Sequence, residues 1–445
     1  MINRLRDYLA RDSLGPTLAK AITGSAGIRV VGLAFGFLVG VQLARGLGAE
    51  GYGVYGLAMS IIALLTVPTE FGFPQLVTRE VAAAYANEQW GRLRGVLRWA
   101  TRASMTIAAF VGLCLLAWLI WNGELQGALA KALLPGIALV PVVALLSIHS
   151  AALRGTQQII RGQFAEAALR PGLHSLLLFG VPLGLFPMTP ALAMWLGVIA
   201  ATVSLMVAHR LLMRAMTPKV RANEPETSSR QWWFSAIPMA MTEGMRLLQS
   251  HLLILLLGAM VSVAEVGVFR VAASTTALVA MPLTLFNIVS MPLVAKLHAT
   301  QQRVQLRRML ALVSGGMVLG VLLLSLPFFI AGEQLLAFVF GREFSSGNQA
   351  LVILCVAALV NALFGINAVL LNMTGHQKKV TSASAFALAL LLVVSPILIK
   401  DYGMMGAAYS NLASAALWNA LMWRDCQRLL GLDTGVWGFL RKSAN

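Results

Sequence analysis

"GVYGLAMSIIALLTVP" (residues 53–68) and "GVFRVAASTTALVAMP" (residues 267–282) agree at seven of sixteen positions with a constant offset of 214. The shared residues are Gly, Val, Ala, Ser, Ala, Leu and Pro, and Tyr55 stands over Phe269. Self-similarity at a fixed offset marks an architecture built twice. A weaker echo sets "LRGTQ" from Leu153 against "NMTGHQ" from Asn372, where Gly155 and Gln157 meet Gly375 and Gln377 at an offset of 220. Two homologous halves are therefore expected at residues 1–214 and 233–445, joined by a polar, proline-containing cytoplasmic linker at 215–232.

The rest of the chain is as apolar as the repeat. Apolar residues make up 58% of its 445 positions and charged residues only 11%, against about 25% charged in a soluble domain. A helix needs roughly 20 apolar residues to cross the hydrocarbon core. Such runs fall at 21–44, 54–73, 99–121, 128–152, 166–186, 190–213, 233–258, 264–290, 308–331, 348–372, 380–399 and 403–423. Pro171, Pro182 and Pro282 interrupt the fifth and eighth runs. Pro68 and Pro282, matched by the repeat, are expected to break the inner halves of spans two and eight. The expected fold class is an all-α integral membrane protein of twelve transmembrane helices in two pseudo-symmetric six-helix lobes. An even number of helices per half returns the chain to its starting side, so the repeats run parallel. The first twenty residues lack a compact apolar run followed by a small-residue cleavage site, and no removable signal peptide is expected.

The net charge of +17 would suggest nucleic acid in a soluble protein, but its distribution points elsewhere. With both termini in the cytoplasm, 27 of the 34 Lys and Arg fall on inner connections and four (Arg45, Lys131, Arg342, Lys400) on outer ones. That is the positive-inside pattern, whereas a nucleic-acid site would gather charge on one face of one domain. Cys114, Cys355 and Cys426 show no metal-binding spacing, the six histidines are scattered, and no phosphate-cradling G-x-x-x-x-G-K-[ST] occurs. No metal and no cofactor are expected, and any uphill work would draw on a gradient of H+ or Na+.

The charges inside the spans carry the functional reading. "GIRVV" (residues 27–31) matches "GMRLL" (residues 244–248) at an offset of 217, placing Arg29 and Arg246 near the middle of each half's first helix. Arg29 then lies roughly 14 Å deep at about 1.5 Å per residue. A charge at that depth costs about 2.5–3.5 kcal/mol and should face a polar cavity or a partner. Arg246 has an alternative, an i, i+3 pair with Glu243 that fixes packing. Arg270 sits near the outer end of its helix, where it either snorkels to water or joins the same cavity. Glu243 and Glu70 are the candidate ion-coupling acids, and His251, Gln249 and Asn287 candidate polar lining. Glu70 and Glu166 also read as interfacial, and His149, His174, Asn287, Asn361 and Asn367 either tie helices together or line the lumen.

The opening run "GIRVVGLAFGFLVGVQLARGLGAEGYGVYGLAMSIIALLTVPTEFGFPQLVTREVA" and "LRGTQQIIRGQFAEAALRP" (residues 153–171) resemble bacterial polysaccharide flippases, the lipid-linked oligosaccharide translocases of the MATE-related superfamily. The resemblance implies a V of two lobes around a cavity that opens alternately to each side of the inner membrane. It implies a cargo of undecaprenyl diphosphate carrying a sugar repeat unit, bound through Arg29, Arg246 and Arg270, for exopolysaccharide, capsule or O-antigen synthesis. Membrane lipid and a polysaccharide polymerase with its export machinery are the implied partners, and nucleic acid is not. A proton- or sodium-coupled multidrug antiporter of the same fold is the alternative. A membrane glycosyltransferase would need a long external loop, and the longest expected here, 332–347, is short.

Overall fold

Gly48 takes φ 68° and ψ −179°, a backbone conformation essentially reserved for glycine, and there the first helix, α1 (Gly15–Glu70), kinks into two arms. The arms carry the first two expected spans. The computed structural model describes residues 15–121, 126–181, 187–216, 223–226 and 228–436, with side chains from Gly24 onward. The N-terminal residues that carry Arg4, Arg6 and Arg11, the break at Pro182, linker residues 217–222 and 227, and the chain beyond residue 436 lie outside the described residues.

After α1 come α2 (Phe73–Ala86), α3 (Trp90–Trp121) and α4 (Ala128–Gly155). Next, α5 (Ile159–Gln163) passes through a π-helical turn (Phe164–Leu169) into α6 (Arg170–Gly180), followed by α7 (Pro190–Ala215) and α8 (Ser229–Met260). Then follow α9 (Val263–Val279), α10 (Met281–Ala299), α11 (Arg303–Val339), a 3-10 turn (Arg342–Gly347), α12 (Asn348–Phe364), α13 (Asn367–Met373), α14 (Gln377–Tyr402) and α15 (Met404–Leu430). The protein is all-α and multi-pass. Among the described residues, seven helical stretches are long and apolar enough to cross a membrane, α1 with α2 counting as one. The pair α9 and α10, bent by 42° between Val279 and Met281, makes an eighth. The described residues of the expected spans are largely helical, but 264–290 is divided between α9 and α10 and 348–372 between α12 and α13 at Gly365 (φ 74°), and residues 182–186 of the fifth lie outside the described residues.

Four features differ from the sequence expectation. Residues 79–86, read as connection, close the amphipathic helix α2, whose Leu76, Val77, Val81 and Ala84 are buried. The helix around Pro68 is not broken there; α1 runs on to Glu70, and the chain turns at Phe71 (φ 40°) and Gly72 (φ 69°) instead. Residues 332–339, read as an external loop, continue α11 beyond a kink at Ala331. Part of the expected linker is pinned down: Glu226 N–H donates to Gly91 O at 3.1 Å and Arg94 to Asn223 O at 2.7 Å. Gly91 and Gly95 permit this close approach, since a Cβ on Gly95 would stand 1.8 Å from Glu226 O.

The described chain forms two compact units. The first holds residues up to Val39 and Ile61–Gly244. At its core α2, α3, α4 and α8 bury Phe73, Leu93, Val96, Ile148 and Trp232, and the Phe73 ring lies 5.2 Å from Trp99 and 5.6 Å from Trp233. The second unit holds Gly40–Ser60 and Met245–Asn445. Within it the two repeat segments cross at their matched glycines. A Cβ on Gly53 would stand 1.9 Å from Val263 O, and one on Gly267 would stand 2.0 Å from Ala49 O. Residues 49 and 53 correspond to 263 and 267 by the offset of 214, so each segment touches the other through the same pair of positions. Reciprocal contact of this kind is the signature of a local twofold relation. The kink beside this crossing is capped. Glu343 accepts the Ala49 N–H at 2.8 Å, and Arg45 donates to Val339 O at 2.8 Å and to Phe338 O at the carboxyl end of α11.

Candidate functional site

The seat of Arg270 grows out of that crossing. Ser262 caps α9 by accepting the Glu265 N–H at 3.3 Å, which places Arg270 about two turns into the helix. Arg270 and Gly56 are the same position of the repeat, and the arginine side chain fills the space the glycine leaves. A Cβ at Gly56 would stand 2.9 Å from Arg270 Cδ and 3.0 Å from Nη1. The guanidinium carbon lies 5.3 Å from the Tyr52 ring centre and 5.1 Å from that of Tyr55. The rings are 10° from parallel, and only 2% and 5% of the two tyrosines is exposed, so they are fixed in place. Such cation–π contacts contribute about 0.5–2 kcal/mol each, more as water is excluded. Both contacts hold the guanidinium against buried aromatic rings. Among the described residues Arg270 makes no hydrogen bond or ion pair.

Other expected residues gather around it. His251 Nδ1 lies 3.2 Å from the Oγ of fully buried Ser60 and within electrostatic reach of Arg270 and Arg246. The second unit thus brings Arg246, His251 and Arg270 into one neighbourhood of positive character. Gln249 donates to Ser384 O at 2.7 Å, which ties α8 to α14 and occupies an amide proton. Asn287 is partly buried on α10. Arg29 belongs to the first unit; it is exposed on the first arm of α1 and, among the described residues, makes no hydrogen bond or ion pair.

The first unit holds a second polar constellation around Ser147 of α4. Its Oγ donates to Glu166 Oε1 at 3.2 Å and is also within hydrogen-bonding reach of Glu70. A hydroxyl has one proton to donate, so these two carboxylates compete for it. Arg154 pairs with Glu166 at 3.3 Å, while Arg170 and Glu243 stand within electrostatic reach of Glu70. Glu70 and Glu243, the two expected coupling acids, are therefore neighbours. Glu166 sits in the π-helical turn, an element frequent at functional sites. Among the described residues no group of three or more His, Cys, Asp or Glu is arranged to hold a metal.

Sequence reasoning missed Tyr52, Tyr55, Ser147 and the Arg154–Glu166 pair. The tyrosines had a signal, since Tyr55 aligns with Phe269 and Gly56 with Arg270. Ser147 had none, being a small hydroxyl in an apolar run.

The family model described as "Polysaccharide biosynthesis protein" matches residues 19–298. Stage V sporulation protein B of Bacillus subtilis is 28% identical over 133 residues, 29% of this chain, and the match spans only 23% of that protein's length. Among solved structures, a multidrug resistance MATE family transporter of the MOP superfamily, in an inward-facing conformation, matches with a TM-score of 0.71 at 15% identity, covering 94% of this chain and 98% of that one. A MOP superfamily transporter from Pyrococcus furiosus, described as having a binding pocket of reverse polarity that suggests a different function, matches with a TM-score of 0.63 at 14% identity, covering 96% of each chain. At such identities the likeness is one of fold.

Proposed function

The chain belongs to the polysaccharide biosynthesis protein family, multi-pass membrane transporters with the MATE fold, and on that premise we propose that it is a flippase for a lipid-linked oligosaccharide. In this reading twelve helices span a bacterial inner membrane with both termini in the cytoplasm. An undecaprenyl-diphosphate-linked repeat unit moves from the cytoplasmic to the outer leaflet by alternating access, and no covalent chemistry is performed. The observation that carries the proposal is Arg270. A guanidinium held by two buried tyrosine rings, with no carboxylate paired to it among the described residues, is a receptor for an anion. A diphosphate offers paired oxygens to its planar N–H edge, a better match than an ammonium could make. Arg246 and His251 lie in the same neighbourhood, and Arg29 supplies the corresponding charge on the first helix.

The Ser147 network supplies the coupling step. A proton or a sodium ion arriving between Glu70 and Glu166 would relieve their competition for the one hydroxyl proton, and Glu243 would sense the change. This acid-bearing network also supports the second reading, a proton- or sodium-coupled multidrug antiporter. Mass spectrometry of membrane lipids from a deletion strain separates the two. A flippase deletion accumulates an undecaprenyl diphosphate glycan; an antiporter deletion leaves the lipid pool unchanged and raises drug sensitivity, and that outcome would overturn the proposal.

A further inference from the structure

The flippase reading leaves unused a pocket of about 640 Å³ on the first unit, between α3, α4 and α7. Arg94, Arg98 and Arg102 stand four residues apart and so share one face of α3. Arg94 is engaged with Asn223 O. Arg98 and Arg102 are exposed, and among the described residues their guanidiniums pair with no carboxylate. Facing them is an apolar wall that includes Ile148, Leu212 and Met213. His149 and His209, 3.2 Å apart between ring nitrogens, border the same space.

The chemistry of this lining is divided along its length. Beyond Arg102 the same face of α3 continues with exposed Met105 and Leu113, and on α7 exposed Trp195, Ile199 and Met206 lead up to His209. Arg102 thus ends one stripe of apolar side chains and His209 the other, and both stripes suit lipid tails. Among the described residues the lining carries one hydroxyl, Thr101, and no carboxamide or carboxylate. A sugar needs many such hydrogen-bonding groups, and a free phosphate has no use for an apolar wall. An ordinary anionic lipid matches both halves of the pocket.

We propose that this pocket binds an anionic phospholipid, its phosphodiester held by Arg98 and Arg102 and its acyl chains lying along α3 and α7. The positive-inside charge distribution assigns these helix ends to the cytoplasmic leaflet. The site is independent of the transport reading, because nothing in it requires a glycan cargo.

Native mass spectrometry of the full chain, purified in an equal mixture of phosphatidylglycerol and phosphatidylcholine, tests the proposal. The wild type retains one phosphatidylglycerol in preference to phosphatidylcholine. The double variant Arg98→Gln, Arg102→Gln loses affinity for it by roughly thirtyfold, at about fivefold for each arginine removed near a membrane surface. Both side chains are exposed, so the variant keeps its fold, and the wild-type preference stands as a separate readout. A control, Arg303→Gln with Arg308→Gln on the second unit, retains the lipid as the wild type does. Equal retention of the two lipids by the wild type, or an equal loss in the control, overturns the proposal. So does displacement of phosphatidylglycerol by millimolar inorganic phosphate or by stoichiometric undecaprenyl diphosphate, which would assign the pocket to a free anion or to the cargo.

Discussion

Arg270 is where a single residue carries the most meaning. Its guanidinium lies within 5.3 Å of the ring centres of both Tyr52 and Tyr55. Replacing it with alanine would remove its charge-assisted hydrogen bonds to the proposed diphosphate, worth about 1.5–3 kcal/mol, so Arg270→Ala should lower glycan export by roughly ten- to hundredfold at unchanged protein level. Arg270→Lys should recover only part of that loss, because an ammonium keeps the charge but neither stacks as a plane nor binds in a fork. Arg29→Ala and Arg246→Ala, on the matched first helices, should impair export in the same assay. Wild-type export by all three alanine variants would leave the cationic site without a role, and Arg246 would revert to a structural residue near Glu243.

At the scale of elements, the crossing of the second arm of α1 with α9 depends on two glycines. No side chain fits at either, since a Cβ would stand 1.9–2.0 Å from a carbonyl oxygen of the other helix. Gly53→Ala and Gly267→Ala should therefore push the helices apart, each at a cost of about 1–3 kcal/mol, typical of overpacking. Thermal unfolding in detergent reads the cost as a lowered midpoint, and the reciprocal geometry requires similar drops for both. Gly36→Ala on the first arm of α1 is the control, because nothing lies within 4 Å of its would-be Cβ, and its midpoint should not fall. Equal midpoints for all three variants would mean that the crossing is not a tight contact.

For the whole molecule, orientation rests on the 27 cationic residues assigned inside against four outside. Reporter fusions after residues 190 and 445 should place the first on the outer side and the second in the cytoplasm. Both reporters on one side would break the twelve-span topology while leaving each unit's internal geometry untouched. The pinned residues 223–226 bear on the same scale. The segment between the repeats was expected as a polar tether, yet Glu226 and Asn223 are held on α3, so a cut or insertion there disturbs the first unit.

The sequence by itself determined the solvent, the class and the duplication. Low charge and long apolar runs dictate helices, because lipid offers no partner to an exposed peptide group, and the offset of 214 showed two copies of one design. It also singled out Arg29, Arg246 and Arg270 as candidates, since an intramembrane charge is conspicuous in an apolar run. What it could not determine is which matched positions meet. That Gly53 and Gly267 cross, and that Arg270 lies over Gly56 between Tyr52 and Tyr55, depends on approach between segments more than two hundred residues apart. Helix α2 was hidden for a related reason. Arg79 and Glu80 read as a polar connection, yet Glu80 is buried because Arg79 and Arg92 pair with it at 3.0 and 2.7 Å, and the second partner comes from the next helix. Ser147 became informative only when folding brought Glu70 and Glu166 within reach of its hydroxyl. Periodicity and hydropathy are local quantities written along the chain, whereas a site is defined by distances between side chains that only packing sets.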